Sequence, residues 1–176
     1  MEFMELCKRR QSCRSYADRP VEREKLTRCI EAARLAPSAC NSQPWSFVVV
    51  VNPALLPEVA KCTQQLGANG FTSEVKAFIV VLEEHAVLSP RLREFMDSQY
   101  FAKGDLGGAA LAICLEAEAQ GLGTCIMGLF NREGLCNLLD IPKEKRFFCV
   151  IAVGYPASDK VRDKIRKPLE EIVRFA

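Results

Sequence analysis

A long run of small and apolar residues between Asp105 and Gly121 constrains the fold more than any other stretch of the chain. After Asp105, no charged residue occurs in this run before Glu116. Its apolar positions recur at helical spacing, and a helix that is apolar nearly all round has to be covered by other elements. The run therefore predicts a central helix that begins at an Asp105 N-cap and ends at Gly121.

Three strand-sized segments, over residues 45–51, 75–82 and 147–153, are rich in aromatic and β-branched residues. Helical spacing, caps and prolines predict further helices over residues 3–10, from 20 to before 37, and over 56–66, 91–98, 131–139 and 169–173. Helices and strands are intermixed without a regular alternation and without a dinucleotide-binding glycine motif. This order predicts an α/β or α+β fold in a single domain over residues 1–176.

Composition and charge argue against several classes of protein. The net charge of +2 is too small to indicate nucleic-acid binding, and no apolar run approaches the ~20 residues that span a bilayer. Nine cysteines without a Cys-x-x-Cys pair, and a single histidine, argue against disulfides and against a bound metal. The first residues lack the basic and apolar regions of a signal peptide, so we expect a protein of the reducing cytoplasm.

The first candidate site is the run Arg10, Gln11, Ser12 and Arg14 at the end of the predicted N-terminal helix. Two guanidinium groups and a hydroxyl at this spacing can bind a phosphate through charge-assisted hydrogen bonds. A solvated basic turn explains the same residues, and the spacing alone favours that simpler interpretation. A second basic stretch, residues 160–167, would matter only if it returned to the same phosphate.

The second candidate is the loop over residues 36–45, which contains Pro37, Asn41, Gln43 and Pro44. Its two amide side chains offer donors and acceptors that can bind the edge of a flat heterocycle. A turn whose polar side chains bond to their own backbone explains the loop equally well.

The third candidate is the run that contains Gly121, Gly123 and Gly128. Glycine allows a ligand to approach the backbone closely, and the apolar residues between these glycines can press on an aromatic ring. A helix C-cap followed by an edge strand accounts well for Gly121 and less well for the other two glycines.

The order of these motifs is more specific than any one of them. An Arg-Arg-x-Ser-x-Arg-x-Tyr run, an Ala-Pro-Ser-x-x-Asn-x-Gln-Pro-Trp loop, a Gly-Leu-Gly-Thr-x-x-x-Gly run and a Val-Gly-Tyr-Pro turn follow one another, and a basic tail comes last. In this order they resemble the nitroreductase family of flavoproteins over nearly the whole chain, and least between residues 55 and 104.

The resemblance implies an α+β fold, specifically an α/β/α sandwich with a mainly antiparallel central sheet flanked by helices. It also implies an intertwined homodimer that exchanges C-terminal segments and binds FMN at its interface. The cofactor-binding residues implied by the matching motifs are Arg10, Gln11, Ser12, Arg14, Pro37, Ser38, Ala39, Asn41, Gln43, Ile126, Met127, Gly128, Lys164 and Arg166.

These residues divide into groups by their implied roles. Arg10, Ser12 and Arg14 hold the ribityl phosphate, with Lys164 and Arg166 as further phosphate contacts, and Gln11 lies beside the ribityl chain or the ring edge. The loop of residues 37–43 reaches the flavin from the second subunit. Residues 126–128 lie along the isoalloxazine ring with a backbone N–H near its N5 atom; larger members of the family carry Glu where this chain has Gly128.

The activity that the resemblance implies is that of an FMN-dependent NAD(P)H oxidoreductase. Hydride passes from NADH or NADPH through flavin N5 to a nitroaromatic, quinone or similar acceptor in a ping-pong mechanism, so no side chain is expected to act as a catalytic group. An FMN-sequestering protein with little turnover, and a specialised flavin reductase or dehalogenase, are the alternatives. The choice of nicotinamide and the physiological acceptor stay open.

Overall fold

The computed structural model describes residues 2–176, which contain a four-stranded antiparallel sheet. Its strands are β1 (Trp45–Val50), β2 (Ala77–Glu83), β3 (Gly123–Met127) and β4 (Arg146–Gly154), in the order β1-β2-β4-β3 across the sheet. The three predicted strands correspond to β1, β2 and β4, with bounds that differ by at most two residues. The run that contains Gly121, Gly123 and Gly128 includes the edge strand β3, in agreement with the explanation that it is a helix C-cap followed by an edge strand.

The described helices are α1 (Phe3–Arg9), α2 (Arg23–Arg34), α3 (Leu56–Thr63), α4 (Pro90–Arg93), α5 (Ala102–Ala119), α6 (Arg132–Leu139) and α7 (Leu169–Ile172). Helix α4 is shorter than the predicted 91–98 because the chain turns back after it. The Asp97 carboxylate accepts a hydrogen bond from the Gln99 backbone at 2.8 Å, and the Gln99 amide donates to Glu83 at the end of β2 at 2.7 Å. No helix among residues 2–176 is long and apolar enough to cross a membrane.

A layer of helices covers each face of the sheet. Alternate residues of β2 point to opposite faces, so that Ile79 packs with α2 and α5, whereas Val80 packs with α3 and α6. Both side chains are fully buried. This arrangement confirms the predicted α+β sandwich with a mainly antiparallel central sheet.

The central helix α5 begins earlier than predicted. The backbone N–H of Asp105 already donates to the Phe101 carbonyl at 3.0 Å, so Asp105 lies in the first turn and the predicted N-cap is wrong. Most of the helix is buried, as expected for its small residues, but one stripe stays uncovered in the single chain. Leu111 on this stripe is 47% exposed.

The segment after α1 runs along the sheet as far as Tyr16. Ser12 forms a parallel bridge with Thr124 of β3, and Tyr16 forms an antiparallel bridge with Pro156. Tyr16 is buried, and a side chain at Gly154 would bring a Cβ atom within 2.7 Å of its ring. Only glycine at this position lets the aromatic ring lie on the end of β4.

We therefore expect Gly154→Ala to destabilise the fold by about 1–3 kcal/mol, because the added methyl group overpacks a buried ring. The change is measured as a lower midpoint of urea unfolding. Gly70→Ala is the matched control: this glycine is exposed, an added Cβ meets no atom within 4 Å, and the change should stabilise by up to about 1 kcal/mol. Equal midpoints for the two variants would contradict the packing explanation.

Candidate functional site

A cleft of about 390 Å³ lies at the start of β3. Three separated stretches of the chain form most of its walls: residues 9 and 11–15, residues 121–123, and residues 156 and 158–162. Glu118 of α5 lines it as well. The C-terminal basic tail thus returns to the Arg10–Arg14 run, which is the condition under which the two basic stretches act together.

Cations are crowded beside this cleft. Burial lowers the pKa of Lys164 below its usual value, and the positive charges of Arg10, Arg166 and Arg162 lower it further, against the opposing effect of Glu118. Lys164 also donates a hydrogen bond to the Lys8 carbonyl at the end of α1. Because neighbouring cations repel one another here, the cluster is suited to an anion with several charges, such as a phosphate.

Ser12 and Arg14 lie on the β3 side of the cleft. Burial raises the pKa of the Cys125 thiol, while the Arg14 charge and a hydrogen bond with Ser12 act in the opposite direction. Both residues line the cleft, and the Arg14 side chain is exposed to solvent. The structure therefore brings four of the predicted phosphate residues, Arg10, Ser12, Arg14 and Lys164, to the same end of β3.

Gln11 makes contacts with the C-terminal tail that the sequence does not predict. Its amide donates to the Lys160 carbonyl at 2.9 Å and accepts from the backbone and the guanidinium of Arg162, at 3.2 and 3.0 Å. These bonds use the side chain to dock the tail onto the segment after α1. Gln11 therefore lines the cleft and also positions the tail through its side-chain amide.

Arg162 is a cleft residue that the sequence interpretation did not select. Besides its bonds to Gln11, its guanidinium donates to the Ser12 carbonyl at 2.5 Å. In the sequence it belongs to a basic run of the kind that usually lies on a solvated surface. The spacing of the basic residues in that run does not indicate which of them lines the cleft.

Gly123 is required for contact within the protein. A Cβ atom at this position would lie 2.7 Å from the Cβ and 2.8 Å from the Sγ of Cys13, which is half-buried beside it. The absence of a side chain lets the Cys13 backbone donate to the Thr124 carbonyl at 2.8 Å. Gly121, with φ +77°, follows the end of α5, whereas a Cβ at Gly128 would meet only open space.

The apolar side chains in and beside β3 are less exposed than the sequence suggests. Ile126 is 45% exposed, but Met127 is only 3% exposed and packs into the core on the α3 and α6 side of the sheet. Leu122 is equally buried, on the opposite face. Of the predicted apolar contacts, only Ile126 and the backbone of residues 126–128 remain open.

The loop of residues 37–44 has a strained backbone. Cys40, Asn41 and Gln43 all have left-handed φ angles, of 52°, 52° and 48°; each such residue costs on the order of 1 kcal/mol or more. Gln43 donates to the backbone carbonyl of Asn41 at 3.2 Å and to its side-chain oxygen at 3.3 Å. The side-chain nitrogen of Asn41 is then the group that the loop presents to solvent.

The two remaining predicted loop residues also have internal partners. The Ser38 hydroxyl accepts from the Gln43 backbone at 3.0 Å, and the Ala39 N–H donates to the Asp105 carboxylate of α5 at 3.2 Å. Pro37 is exposed next to them. Hydrogen bonds within the loop and to α5 thus hold its inner side. Pro37 and Asn41 lie on its outer side.

The loop and the cleft lie at opposite ends of the sheet. The loop leads into Trp45, which pairs with Glu83, and Glu83 pairs with Arg146 at the start of β4. The cleft adjoins Gly154 at the other end of β4. A strand of nine residues is about 27 Å long, so the two predicted halves of the site do not meet within one chain.

The cysteines and acidic residues form no second centre. Among residues 2–176, no three histidine, cysteine or acidic side chains are grouped so that they could hold a metal ion. All nine cysteines are free thiols, and burial raises the pKa of Cys29 and of Cys149 to about 12. These two thiols act as small core residues.

Known proteins resemble the chain over most of its length. The sequence profile of the nitroreductase family matches residues 7–155. A protein of Thermus thermophilus named NADH dehydrogenase is 30% identical over 194 residues, which cover 94% of this chain and 91% of that protein. An iodotyrosine deiodinase of Nematostella vectensis is 26% identical over 195 residues, which cover 98% of this chain and 74% of that protein.

A solved structure gives the same result for the fold. The FMN-dependent nitroreductase of Clostridium difficile R20291 is 26% identical, and the alignment covers 98% of each chain with a TM-score of 0.78. The likeness therefore includes the C-terminal tail as well as the sheet and the helices that flank it.

Proposed function

Since the chain belongs to the nitroreductase family, we propose that it binds FMN and transfers hydride from NADH or NADPH to an electron-poor acceptor such as a nitroaromatic compound or a quinone. The observation that carries this proposal is the crowding of cations from two distant stretches beside one cleft. When bound, FMN supplies the hydride chemistry at its N5 atom, in a ping-pong sequence. The name of the Clostridium difficile protein supports FMN as the flavin.

The residues around the cleft fit a flavin phosphate. Arg10, Arg14, Lys164 and Arg166 supply positive charge, and the Ser12 hydroxyl supplies a neutral hydrogen-bond donor. We add Arg162 to this set because, like Arg14, it lines the cleft. Gln11 keeps the tail in place, so that the cations of the two stretches face one anion.

The outer edge of β3 fits the ring of the flavin. Beyond Thr124 this edge has no strand partner among residues 2–176, so that backbone N–H groups near Ile126 and Gly128 are free to donate. A donor at this edge would stabilise the negative charge of a reduced flavin. The exposed Ile126 side chain supplies an apolar contact for the ring.

A homodimer completes the site in this proposal. The loop of residues 37–44 lies about one sheet length from the cleft of its own chain. A two-fold axis could bring the loop of one subunit to the cleft of the other and form two equivalent sites. Asn41 of one subunit and Arg14 of the partner would then hold the same flavin.

Exposed apolar side chains also support the dimer. On the C-terminal arm, Leu169, Ile172 and Phe175 are 66%, 65% and 90% exposed, and Leu111 lies on the uncovered stripe of α5. Apolar surface of this extent mostly marks a protein interface. We propose that both regions are covered by the second subunit, which exchanges the arm.

The proposal treats residues 1–176 as one FMN-binding domain, because both helix layers pack on the same sheet. It also places the protein in the cytoplasm, since all nine cysteines are free thiols and free thiols persist in reducing compartments.

The absorption spectrum of the purified protein tests the flavin and its reduction together. We expect a yellow protein whose flavin spectrum is bleached under anaerobic conditions by NADH or NADPH, and is restored by an acceptor. The acceptors tested include a quinone, a nitroaromatic compound and a halogenated phenol, the last because one relative is a deiodinase. A protein that does not take up FMN contradicts the proposal, and bound FMN that neither nicotinamide reduces indicates a flavin-sequestering protein instead.

Arg14→Ala should weaken FMN binding by about 1.5–3 kcal/mol, because it removes one charge-assisted contact to the phosphate. The dissociation constant is measured by the change in flavin fluorescence on titration. Arg23→Ala, at the exposed start of α2, is the control and should bind FMN as the wild type does. Unchanged affinity in Arg14→Ala would disprove the phosphate assignment.

Mixing two impaired variants, at an FMN concentration too low to fill the Arg14→Ala site, tests whether the site is shared. In a mixed dimer of Arg14→Ala and Asn41→Ala chains, one site carries both changes and the other carries neither. Random exchange of subunits should therefore restore about a quarter of the wild-type sites, measured as NAD(P)H-dependent acceptor reduction after unfolding and refolding the mixture. Refolding either variant alone is the control, and no recovery in the mixture, or an active flavin-loaded monomer, would rule out the shared site.

A further inference from the structure

We propose that Asp105 is a positioning residue for hydride transfer, because its carboxylate holds the strained loop of residues 37–44 in the conformation that presents Asn41 to the flavin of the partner subunit. This inference rests on the proposed function, and it concerns a residue whose sequence signal indicated only a helix cap. Asp105 is expected to act through the loop and to touch neither flavin nor substrate.

The contact joins two parts of the chain that lie far apart in sequence. The Ala39 N–H donates to the Asp105 carboxylate at 3.2 Å across 66 residues. In the part of the chain that the structure describes, this is the one hydrogen bond that ties residues 38–43 to another segment. The other bonds of residues 38–43 stay within the loop and its entry into β1.

The loop needs this hydrogen bond because its backbone conformation is intrinsically unfavourable. Three left-handed residues with side chains favour relaxation to an extended or right-handed conformation. Relaxation at Cys40 or Asn41 would turn the Asn41 amide away from its present direction. The hydrogen bond at Ala39, directly before these residues, opposes that movement.

Asp105 is itself held firmly. It lies in the first turn of α5, where its negative charge is favourable, and its neighbour Leu106 is fully buried in the core. A hydrogen bond to an ionised carboxylate is stronger than one to a neutral group. Through Asp105, the loop is thereby attached to a helix that the core holds in place.

The position of the loop predicts which step depends on Asp105. The cations that hold the phosphate belong to the other subunit and the loop adds no charge to them, so FMN binding should change little when the loop moves. Orientation of the flavin ring relative to the nicotinamide should change, and small misplacements of reacting groups reduce rates strongly. Loss of the anchor should therefore lower the rate of hydride transfer much more than the affinity for FMN.

The experiment compares Asp105→Ala with the wild-type holoenzyme in anaerobic stopped-flow reduction by NADH and NADPH. We expect the rate constant of flavin reduction to fall about tenfold to a hundredfold, while the FMN dissociation constant changes less than about threefold. Hydrogen exchange of the amides of residues 38–43 should become faster in the variant. Asp105→Asn keeps an acceptor oxygen and should recover most of the rate.

A double variant separates the anchor from the effect of charge on the helix. Lys103→Asp combined with Asp105→Ala keeps a carboxylate in the first turn of α5 at an exposed position on the opposite side of the helix from residue 105, from which it should not replace the bond to Ala39. It should regain helix stability in urea unfolding yet stay as slow as Asp105→Ala. An unchanged reduction rate in Asp105→Ala, or full recovery in the double variant, would overturn the proposal.

Failure of the proposed function gives a different result. A wild-type holoenzyme that no nicotinamide reduces contradicts the function itself, whereas normal reduction of both the wild type and Asp105→Ala contradicts only the role of Asp105. If Asp105→Ala does not fold, the comparison of Asp105→Asn with the double variant gives the same test. Equal rates for those two variants would then disprove the anchor.

Discussion

The close approach of residues 12–16 to the sheet is the contact on which the candidate site depends. It is possible because Gly123 and Gly154 have no side chains where Cys13 and Tyr16 lie against them. At each glycine, an added methyl group would lie 2.7 Å from a side-chain atom of Cys13 or Tyr16. The segment would have to move away from the sheet to make room for it. The segment after α1 therefore joins β3 at one place, and Arg10 and Arg14 are fixed relative to the rest of the fold.

The C-terminal tail adds positive charge beside this contact. Gln11 bonds to Lys160 and Arg162, which brings a second set of cations to the first. Partial burial lowers the pKa of Lys164, and the neighbouring positive charges of Arg10 and Arg166 lower it further. An anion with several charges would relieve this repulsion, which is why a phosphate fits here better than a neutral ligand.

The other half of the site is built on a different principle. The loop of residues 37–44 contributes no charge and instead presents an amide from a strained backbone. Its hydrogen bonds point inward, to Asp105 and among its own residues, so its outer side is preorganised before any ligand binds. In the dimer that we propose, the loop would orient the flavin, while the cleft of the other subunit would supply most of the binding energy. This division matches a site shared between two subunits.

Much of the fold could be predicted from local patterns. The strands and the central helix follow from residue type and spacing, because burial of apolar side chains sets both periodicities. The errors lie where long-range contacts decide, as at Asp105, whose carboxylate bonds to Ala39 instead of capping α5, and after Arg93, where Gln99 turns the chain back. Residue types and their order determined the family, the sandwich and the identity of most cations near the cleft. Only the tertiary structure decided that Arg162 faces the cleft, that Met127 is withdrawn into the core and that Gln11 holds the tail, because each depends on contacts between residues that the sequence keeps far apart.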